Sequence, residues 1–441
     1  MGEQPNNPAD KVRELQRRLY VTAKRSRKRR FHALYDRICR GDVLAEAWKR
    51  VKTNRGAAGI DGESLSMIEQ GGVEDFLLDV QRRLQTGRYW PQPVRRQYIP
   101  KPDGTKRPLG IPTVRDRVVQ QATKLVIEPI FEADFKESSY GFRPKKNATQ
   151  ALEAIRLTGG RGHRYVVEID IEKFFDSIDH GKLLLLVEQR ISDRKVLKLL
   201  RQWLKAGVLE GGRVQGTDLG SPQGGVISPL LANIYLDVLD RLWERQSRHL
   251  GQLVRYADDA VVLCRTRADA EEALLRLGQI MDRLSLKLHP EKTRIVELGL
   301  GQGGFDFLGC YLRMVLSHFK WQEYLFRWPS LRAMNRIRAR VRALTDRRRW
   351  AGLRDIRQVI AVLNPVLRGW GNYFCTGNAS WKFQQVDRYV NQRLVRLLRQ
   401  VRGWRRRPFS LRDWSPARFK DDFGLHRLVG TIRYPGFANA S

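Results

Sequence analysis

Two adjacent aspartates constrain this chain more than any other feature. Asp258 and Asp259 stand between short apolar runs in RYADDAVVLC, residues 255–264, and this pattern predicts a β-hairpin with the acids at its tip. Neighbouring carboxylates repel each other and resist joint removal from water, which raises their pKa values unless a positive charge lies close by. We therefore expect the fold to bring something positive to this tip.

The overall charge indicates the kind of partner. The 441 residues include 82 Lys and Arg against 47 Asp and Glu, a formal net charge of +35. An excess of this size suits a polyanion, and a long nucleic acid is the natural one. A basic protein that is merely soluble is the alternative, but it is uncommon at this excess.

A membrane partner is not expected. No apolar run approaches the ~18 residues of a membrane span, and the polar start MGEQPNNPADK does not resemble a signal peptide. We expect a cytoplasmic protein. The cysteines stand singly without a C-x-x-C pair, which predicts inert thiols and neither a disulfide framework nor a zinc module; they are Cys39, Cys264, Cys310 and Cys375.

Local patterns predict a mixture of helices and short strands. A hairpin is expected over residues 95–112, with its turn at Pro102-Asp103-Gly104. A β-branched run over residues 164–170 predicts a strand that ends at Asp170. Apolar residues at helical spacing predict helices over residues 11–30, 114–131, 148–157, 331–344 and 386–402.

One glycine-rich segment resembles a dinucleotide fingerprint but lacks its context. Residues 299–304, GLGQGG, match G-x-G-x-x-G. That fingerprint requires a helix to follow it, and the next residues, FDFLG, are strand-like. We therefore predict a hairpin loop here.

The acids become more informative when they are taken together. Asp170 ends one predicted strand and Asp258-Asp259 occupy a hairpin tip, so a mixed sheet can bring the three carboxylates to one point. Such a cluster requires a divalent cation. Magnesium fits because it binds one or two carboxylates together with substrate phosphates, and two such ions stabilise both oxygens of a phosphoryl displacement. An exposed structural turn is the alternative for an isolated Asp-Asp pair.

Several segments in order carry a family resemblance. YADD, VVEIDIEKFFDSIDH and SPQGGVISPLLANIYL resemble the palm of reverse transcriptases. Together with NRGAAGIDG, IPKPDGTKRPLGIP, SSYGFRP, HPEKT and FDFLG, they resemble the bacterial group II intron-encoded reverse transcriptase/maturase family. The resemblance covers roughly residues 10–405, nearly the whole chain.

The resemblance implies roles for individual residues around the acids. Asp170, Asp258 and Asp259 would hold two Mg²⁺ ions, with Mn²⁺ as a substitute, and the backbone carbonyl of Ile171 would help. Phe175 matches the bulky residue that excludes a ribose 2′-hydroxyl and so favours dNTPs.

It also implies nucleotide contacts on the fingers and beside the palm. Gln223 matches a residue that lines the nucleotide pocket, and Lys101 and Arg107 match fingers residues that contact the triphosphate. Arginine offers phosphate a planar fork and lysine a point charge. Ordinary solvated cations are the alternative for these two residues.

The C-terminal part resembles the thumb, or maturase, region of the family, which grips intron RNA and the template-primer duplex. LNPVLRGWGNYF, residues 363–374, begins this resemblance. Trp370, Tyr373 and Phe374 are equally suited to packing its core. The arginines expected to contact nucleic acid are Arg338, Arg342, Arg388, Arg393, Arg396 and Arg399.

The resulting fold prediction is α+β, a right-hand polymerase with fingers, a palm with a small antiparallel sheet and an α-helical thumb. The predicted domains are a basic N-terminal extension with the start of the fingers (1–80), fingers and palm (81–318), thumb (319–407) and a short tail (408–441). The tail is predicted to be irregular and aromatic; it holds one histidine and no cysteine, so we do not expect the endonuclease of many family members.

The expected function is RNA-directed DNA polymerisation, with an RNA template, a DNA or RNA primer and dNTPs as partners. Binding of group II intron RNA as a splicing maturase is also expected. Two alternatives remain open: a stand-alone reverse transcriptase serving phage defence, CRISPR spacer acquisition or DNA repair, and an RNA-binding splicing factor with secondary polymerase activity. An RNA-dependent RNA polymerase is disfavoured by Phe175. The sequence leaves open whether two copies pair as a homodimer.

Overall fold

The protein packs as two compact units. The computed structural model describes residues 7–100, 104, 106–210, 213–215, 219–220, 224–317, 321–402 and 414–434. The first unit comprises residues 1–147, 167–262 and 268–294, and the second comprises residues 148–166, 263–267 and 295–441. The domain boundaries drawn from the motifs remain a prediction.

Helices make up most of the described chain. Those of the first unit are α1 (Pro8–Arg25), α2 (Tyr35–Ile38), α3 (Gly41–Thr53), α4 (Leu65–Gly71), α5 (Val73–Gln85), α6 (Val114–Glu132), α8 (Phe174–Ser177), α9 (His180–Glu188), α10 (Arg194–Lys205), α11 (Ser228–Leu242) with a π turn at Trp243–Ser247, and α12 (Arg267–Arg283). Those of the second are α7 (Ala148–Gly159), α13 (Leu331–Leu344), a 3₁₀ turn at Arg347–Trp350, α14 (Arg357–Phe374), α15 (Ser380–Arg402) and α16 (Pro416–Asp421).

The described strands form three small sheets. In chain order they are β1 (Val94–Pro100), β2 (Lys106–Ile111), β3 (Tyr165–Ile169), β4 (Val208–Glu210), β5 (Arg213–Gln215), β6 (Gly251–Tyr256), β7 (Asp259–Cys264), β8 (Arg294–Glu297), β9 (Phe305–Phe307), β10 (Cys310–Ser317) and β11 (Gln322–Pro329). The strand orders are β2-β1-β4-β5, β6-β7-β3-β8 and β11-β10-β9.

The predicted hairpin over residues 95–112 is present. β1 and β2 pair antiparallel from Arg95 opposite Ile111 to Pro100 opposite Lys106. β4 pairs parallel to β1 at Val94 and Arg95. Farther along β1, the Tyr98 hydroxyl donates to the Glu210 carboxylate at the end of β4.

Helix α6 is the centre of the first unit. Its apolar residues occur all round the helix, which is typical of a helix that is covered on every side, and α1 and α3 pack against it. Val118, Val119 and Ala122 are completely buried. The Thr113 hydroxyl caps its first turn by accepting a hydrogen bond from the Asp116 N–H at 3.0 Å.

The sheet that contains β3 and β7 is buried on both faces. Val167, Val261 and Val262 are at most 1% exposed, and a run that is apolar at consecutive positions belongs to a strand covered on both sides. The hydroxyl of Tyr235, on α11, donates to the carbonyl of Leu284 at 2.5 Å. The aspartates at the ends of β3 and β7 are therefore attached to a well-packed sheet.

The second unit combines a three-stranded sheet with packed helices. β10 and β11 form a long hairpin, from Cys310 opposite Pro329 to Ser317 opposite Gln322. The chain then enters α13, whose first turn is capped by Ser330 Oγ accepting from the Ala333 N–H at 3.2 Å. The predicted apolar stripe of α13 is buried against α14 and α15, except that Leu331 at the helix start is 74% exposed.

Three local predictions were wrong. α1 ends at Arg25 rather than near residue 30, because Ser26 is extended and a run of like charges follows, which disfavours helix. The GLGQGG loop is no hairpin, since β8 and β9 on either side of it belong to different sheets. The tail is not wholly irregular, since it contains α16.

Within the part of the chain that the structure describes, no helix is both long and apolar enough to cross a membrane.

Candidate active site

The two adjacent aspartates lie at the hairpin tip, as predicted. β6 ends at Tyr256 and β7 begins at Asp259, so Ala257 and Asp258 form a two-residue turn. Ala257 has φ +59°, a left-handed conformation that costs a residue with a side chain about 1–2 kcal/mol. Glycine usually fills this position in a tight turn of the hairpin type. The turn that presents Asp258 is therefore strained and needs support from its surroundings.

Asp170 follows β3 directly and is fixed through its backbone. Its carbonyl accepts a hydrogen bond from the His289 N–H at 2.8 Å, and the Thr293 hydroxyl lies 3.4 Å from both its N–H and its carbonyl oxygen. Its side chain makes an ion pair with Lys292, with Nζ 3.3 Å from Oδ2. The HPEKT segment thus fixes the backbone of Asp170 and places a lysine beside its carboxylate.

The three carboxylates belong to neighbouring strands of one sheet, because β7 begins at Asp259 and lies next to β3, which ends directly before Asp170. Burial raises the pKa of Asp258, and repulsion from Asp170 raises it further. Asp259 is an exposed residue, but the surrounding protein removes enough water from its carboxyl to raise its pKa to about 6, with repulsion from Asp258 and Asp170 adding to the rise. The structure therefore brings the three predicted acids together.

Arg107 supplies part of the positive charge expected at the tip. It lies exposed on β2, opposite Ile99 on β1, and its guanidinium lowers the pKa values of both Asp258 and Asp259. This is a long-range effect, since no hydrogen bond joins these described side chains. Lys101, predicted to act with Arg107, lies outside the described residues.

Phe175 lies on the short helix α8, half-buried, with its ring centroid 5.2 Å from that of Phe174. Gly220 passes so close that a Cβ there would be 3.0 Å from the Phe175 carbonyl oxygen. Gly220, the residue directly before SPQGG, therefore packs on this helix. Gln223 itself lies outside the described residues. Ile171 is buried and bridges to Leu288, so only its backbone carbonyl is suited to a ligand role.

The donor set fits magnesium as an incomplete site. Among the described side chains, no three His, Cys, Asp or Glu residues converge closely enough to enclose a metal by themselves. Mg²⁺ in phosphoryl-transfer sites takes one or two carboxylates and completes its shell with water and substrate phosphates. Asp258 and Asp259, whose pKa values are raised by burial and by repulsion from neighbouring carboxylates, match that requirement, because a bound cation relieves the repulsion.

The predicted nucleic-acid arginines of the second unit differ in their surroundings. Arg342, Arg388 and Arg396 are exposed, and Arg338 and Arg399 are half-buried. Arg393 instead contacts the end of α13: its Nε donates to Thr345 Oγ1 at 3.0 Å and its Nη2 to the Thr345 carbonyl at 3.3 Å. Basic side chains commonly stabilise helix C-termini in this way.

Two of the three aromatic residues named from the sequence, Trp370 and Phe374, pack against other rings of the second unit, whereas Tyr373 is 39% exposed. The Trp370 ring centroid lies 4.8 Å from that of Phe374 and 5.5 Å from that of Phe383. The Tyr373 hydroxyl donates to the Leu308 carbonyl at 2.8 Å. These contacts favour a packing role for Trp370 and Phe374 over nucleic-acid contact.

Comparison with known protein families agrees with this site. Residues 99–312 match the family described as reverse transcriptase (RNA-dependent DNA polymerase). Residues 334–415 match the maturase-specific domain of group II introns. The first match contains Asp170, Asp258 and Asp259, and the second contains α14 and α15.

The chain is also similar to individual proteins. Protein YkfC of Escherichia coli (strain K12) is 34% identical over 362 residues, which cover 74% of this chain and 94% of YkfC. The group II intron-encoded protein LtrA of Lactococcus lactis subsp. cremoris is 42% identical over 214 residues, 48% of this chain and 35% of LtrA. A solved partial Cas6-RT-Cas1–Cas2 complex gives a TM-score of 0.36 at 23% identity over 56% of this chain and 42% of that chain, too weak a likeness to add to these matches.

The family matches and these relatives thus define an RNA-directed DNA polymerase with an α+β polymerase region followed by a helical region. Within that class, the chain belongs to the bacterial group II intron reverse transcriptase/maturase family.

Two basic residues beside the acids were not predicted. Lys292 pairs with Asp170, and Arg255 lies buried directly before the hairpin turn. The sequence carried a signal for each, since Lys292 belongs to the HPEKT segment and Arg255 begins RYADD. Neither signal says which carboxylate or carbonyl the side chain contacts.

Proposed function

We propose that this chain extends a primer 3′-hydroxyl with dNTPs on an RNA template, releasing pyrophosphate. One observation carries the proposal: burial raises the pKa of Asp259 to about 6, repulsion from the nearby Asp258 and Asp170 adds to the rise, and Arg107 opposes it. Burying carboxylates close to one another is unfavourable unless cations neutralise them. A nucleotide that binds together with metal ions supplies these cations.

The residues of the site have separate roles in the proposed reaction. Asp170, Asp258 and Asp259, with the carbonyl of Ile171, are the ligands for two Mg²⁺ ions, for which Mn²⁺ is a substitute. When bound, the ions supply electrostatic stabilisation to the attacking and leaving oxygens of the displacement.

The remaining residues bind and select the nucleotide. Arg107 and Lys101 hold the triphosphate from the β1–β2 hairpin, and Gln223 lines the nucleotide pocket. Phe175 blocks the space that a ribose 2′-hydroxyl needs. Positioning of the 3′-hydroxyl against the triphosphate contributes the rest of the rate.

Primer extension on an RNA template tests this proposal. The native protein and Asp258→Asn are compared with dNTPs and with NTPs, with and without Mg²⁺, and thermal unfolding of both proteins is measured in parallel. We expect Mg²⁺-dependent dNTP incorporation by the native protein alone. Polymerisation that persists in a folded Asp258→Asn protein would refute the assignment of the site.

We also propose that the second unit binds group II intron RNA as a splicing maturase. The observation that favours it is the set of exposed arginines on neighbouring helices, Arg342 on α13 and Arg388 and Arg396 on α15, within the maturase-specific match. Arginines spaced along packed helices suit phosphates of a structured RNA.

Splicing of a group II intron RNA in the presence of the protein tests this second role. Arg388→Gln/Arg396→Gln is expected to lose RNA affinity and splicing, whereas Asp258→Asn keeps splicing while it loses DNA synthesis. The matched control is Arg82→Gln/Arg201→Gln, which removes two exposed helical arginines from the first unit. Equal effects of the two double substitutions would show only a general charge effect and would refute the proposal.

A stand-alone reverse transcriptase serving phage defence, CRISPR spacer acquisition or DNA repair has the same chemistry and a different biology. Gene neighbourhood separates the two, because an intron-encoded protein lies within a foldable intron RNA. The cytoplasmic location stays a prediction from the sequence, and the pairing of two copies as a homodimer stays open.

A further inference from the structure

Arg255 is a buried cation next to the strained turn of the hairpin. It is 1% exposed, and its ion-pair partner Asp240, on α11, is also 1% exposed. Nε donates to Asp240 Oδ1 at 2.9 Å and Nη2 to Oδ2 at 2.5 Å. A buried bidentate pair of this kind fixes the guanidinium plane as well as its position.

The rest of the guanidinium is committed to three other acceptors. Nη1 donates to Asn233 Oδ1 at 3.1 Å and to the Ala257 carbonyl at 2.9 Å, and Nη2 donates to Ser139 Oγ at 2.7 Å. A guanidinium has five N–H donors, and these contacts use all of them. A lysine in the same place has three donors and no plane, so it does not reproduce the arrangement.

The segment 138–141 holds the same turn from its other side. The Arg255 N–H donates to the Ser138 carbonyl, and the Tyr140 N–H donates to the Arg255 carbonyl, both at 2.8 Å. Gly141 lies so close that a Cβ there would be 2.2 Å from the Ala257 nitrogen. Asn233 joins the two sides, because its Nδ2 donates to the Gly141 carbonyl at 2.8 Å.

We propose that Arg255 is a positioning residue for the polymerase site, which holds the Ala257 carbonyl and thereby sets the direction in which Asp258 is presented. This inference rests on the proposed polymerase function. Ala257 has a positive φ without being glycine, so the turn does not keep its shape by local preference alone. The direct hydrogen bond from Nη1 connects the buried ion pair to the residue immediately before Asp258.

A purely structural role for Arg255 makes a different prediction. If the ion pair with Asp240 only stabilised the core, its loss would lower stability and activity together. A positioning role lowers the rate of chemistry more than stability, because a displacement of the order of 1 Å at a reacting group costs about 10²-fold in rate.

The test compares Arg255→Lys with Arg190→Lys and Ser139→Ala. Arg190 is also buried; it pairs with Asp134 at 3.1 Å and donates to the Ala23 carbonyl at 3.0 Å, but it has no contact with the hairpin turn. Ser139→Ala removes one acceptor of Nη2 and leaves the bond to the Ala257 carbonyl. Single-turnover dNTP incorporation, the KM for dNTP, template-primer affinity and the melting temperature are measured for each protein.

We expect Arg255→Lys to lower the single-turnover rate about 10²-fold with unchanged KM and template-primer affinity. Arg190→Lys is expected to keep most of the single-turnover rate at a loss of melting temperature similar to that of Arg255→Lys. Ser139→Ala is also expected to keep most of this rate. An Arg255→Lys rate that falls no further than that of Arg190→Lys would overturn the proposal.

Asn233→Ala provides a second variant if Arg255→Lys does not fold. It removes one acceptor of Nη1 and the link to Gly141 while the pair of Arg255 with Asp240 stays, and we expect a rate loss of about tenfold, as for other residues that orient a ligand. A native rate in a folded Asn233→Ala protein would contradict the proposal.

Binding of Mn²⁺ alone, followed by electron paramagnetic resonance, separates this inference from the polymerase proposal. Asp258→Asn identifies the signal that belongs to the hairpin. We expect Arg255→Lys to weaken that signal's Mn²⁺ affinity by about 10- to 100-fold, even if the native protein fails to polymerise. Native affinity in Arg255→Lys, or no Asp258-dependent binding in the native protein, would overturn the inference.

Discussion

Lys292 Nζ lies 3.3 Å from Asp170 Oδ2 and forms an ion pair with the first carboxylate of the site. Both side chains are partly exposed, 59% for Lys292 and 39% for Asp170. An ion pair at this exposure is weak and easily exchanged. The lysine therefore balances Asp170 without locking it.

Because Lys292 and a metal ion compete for the same carboxylate, we predict that Lys292→Met lowers the Mg²⁺ concentration for half-maximal primer extension. The shift is expected to reach at most about fivefold, since exposed pairs contribute no more than about 1 kcal/mol. A Mg²⁺ titration of initial rates measures it. Lys287→Met, which removes an exposed lysine from the same segment, is the control and should leave the midpoint unchanged. A midpoint that rises in Lys292→Met would contradict competition.

Arg107 is expected to bind the triphosphate of the incoming nucleotide. Arg107→Ala should lower kcat/KM for dNTP by roughly 10- to 100-fold, because a charge-assisted hydrogen bond contributes about 1.5–3 kcal/mol. The kcat/KM of Arg107→Lys should lie between those of the native protein and Arg107→Ala, since lysine keeps the positive charge but lacks the planar guanidinium. The control is Lys106→Ala, because adjacent residues of a strand point to opposite faces. Steady-state kinetics that show equal losses for residues 106 and 107 would refute the assignment.

Phe175 is expected to select deoxyribose. Phe175→Ala should reduce the preference for dNTP over NTP at least about tenfold, since shape-based rejection of a small group is of this order. Phe175→Tyr keeps the ring against Phe174 and should keep the preference. Competing incorporation of dNTP and NTP opposite the same template base measures the ratio. An unchanged ratio in Phe175→Ala would assign the half-buried ring to packing alone.

The local patterns of the sequence predicted the elements that carry the site. The hairpin at Asp258 and Asp259, the strand that ends at Asp170 and the hairpin with Arg107 each depend on alternation and turn residues within about twenty positions. Such short-range signals are the ones a single sequence carries well. The prediction that the three aspartates lie close together followed from placing these strands in one mixed sheet.

Contacts between segments that are far apart in the sequence could not be predicted from local patterns. Arg255 is held from two separate elements, by Ser139 in the segment 138–141 and by Asn233 and Asp240 on α11, and no local sequence pattern links either element to the hairpin. The GLGQGG loop was misassigned for a related reason: its flanking strands each have strand-like composition, but pairing is decided by the sheets that each strand joins.

Asp237 offers a stability prediction away from the reacting groups. It lies on α11, 3% exposed, and burial raises its pKa from an ordinary 3.8 to about 7, with the Asp240 charge adding to the rise and Arg241 opposing it. Between these two pH values the folded protein keeps the proton and the unfolded chain loses it. Stability is therefore lost as the pH rises from about 4 to 7 and then levels off.

Asp237→Asn is neutral at every pH and escapes this loss. We expect it to be more stable than the native protein at pH 8, by about 1–3 kcal/mol after the loss of its pair with Arg241, and the difference should vanish near pH 4. Urea unfolding at several pH values measures it. Asp282→Asn, an exposed change on α12, should show no such pH dependence. A difference that stays constant between pH 4 and 8 would mean that Asp237 is ionised throughout in the folded protein and that Arg241 outweighs its burial.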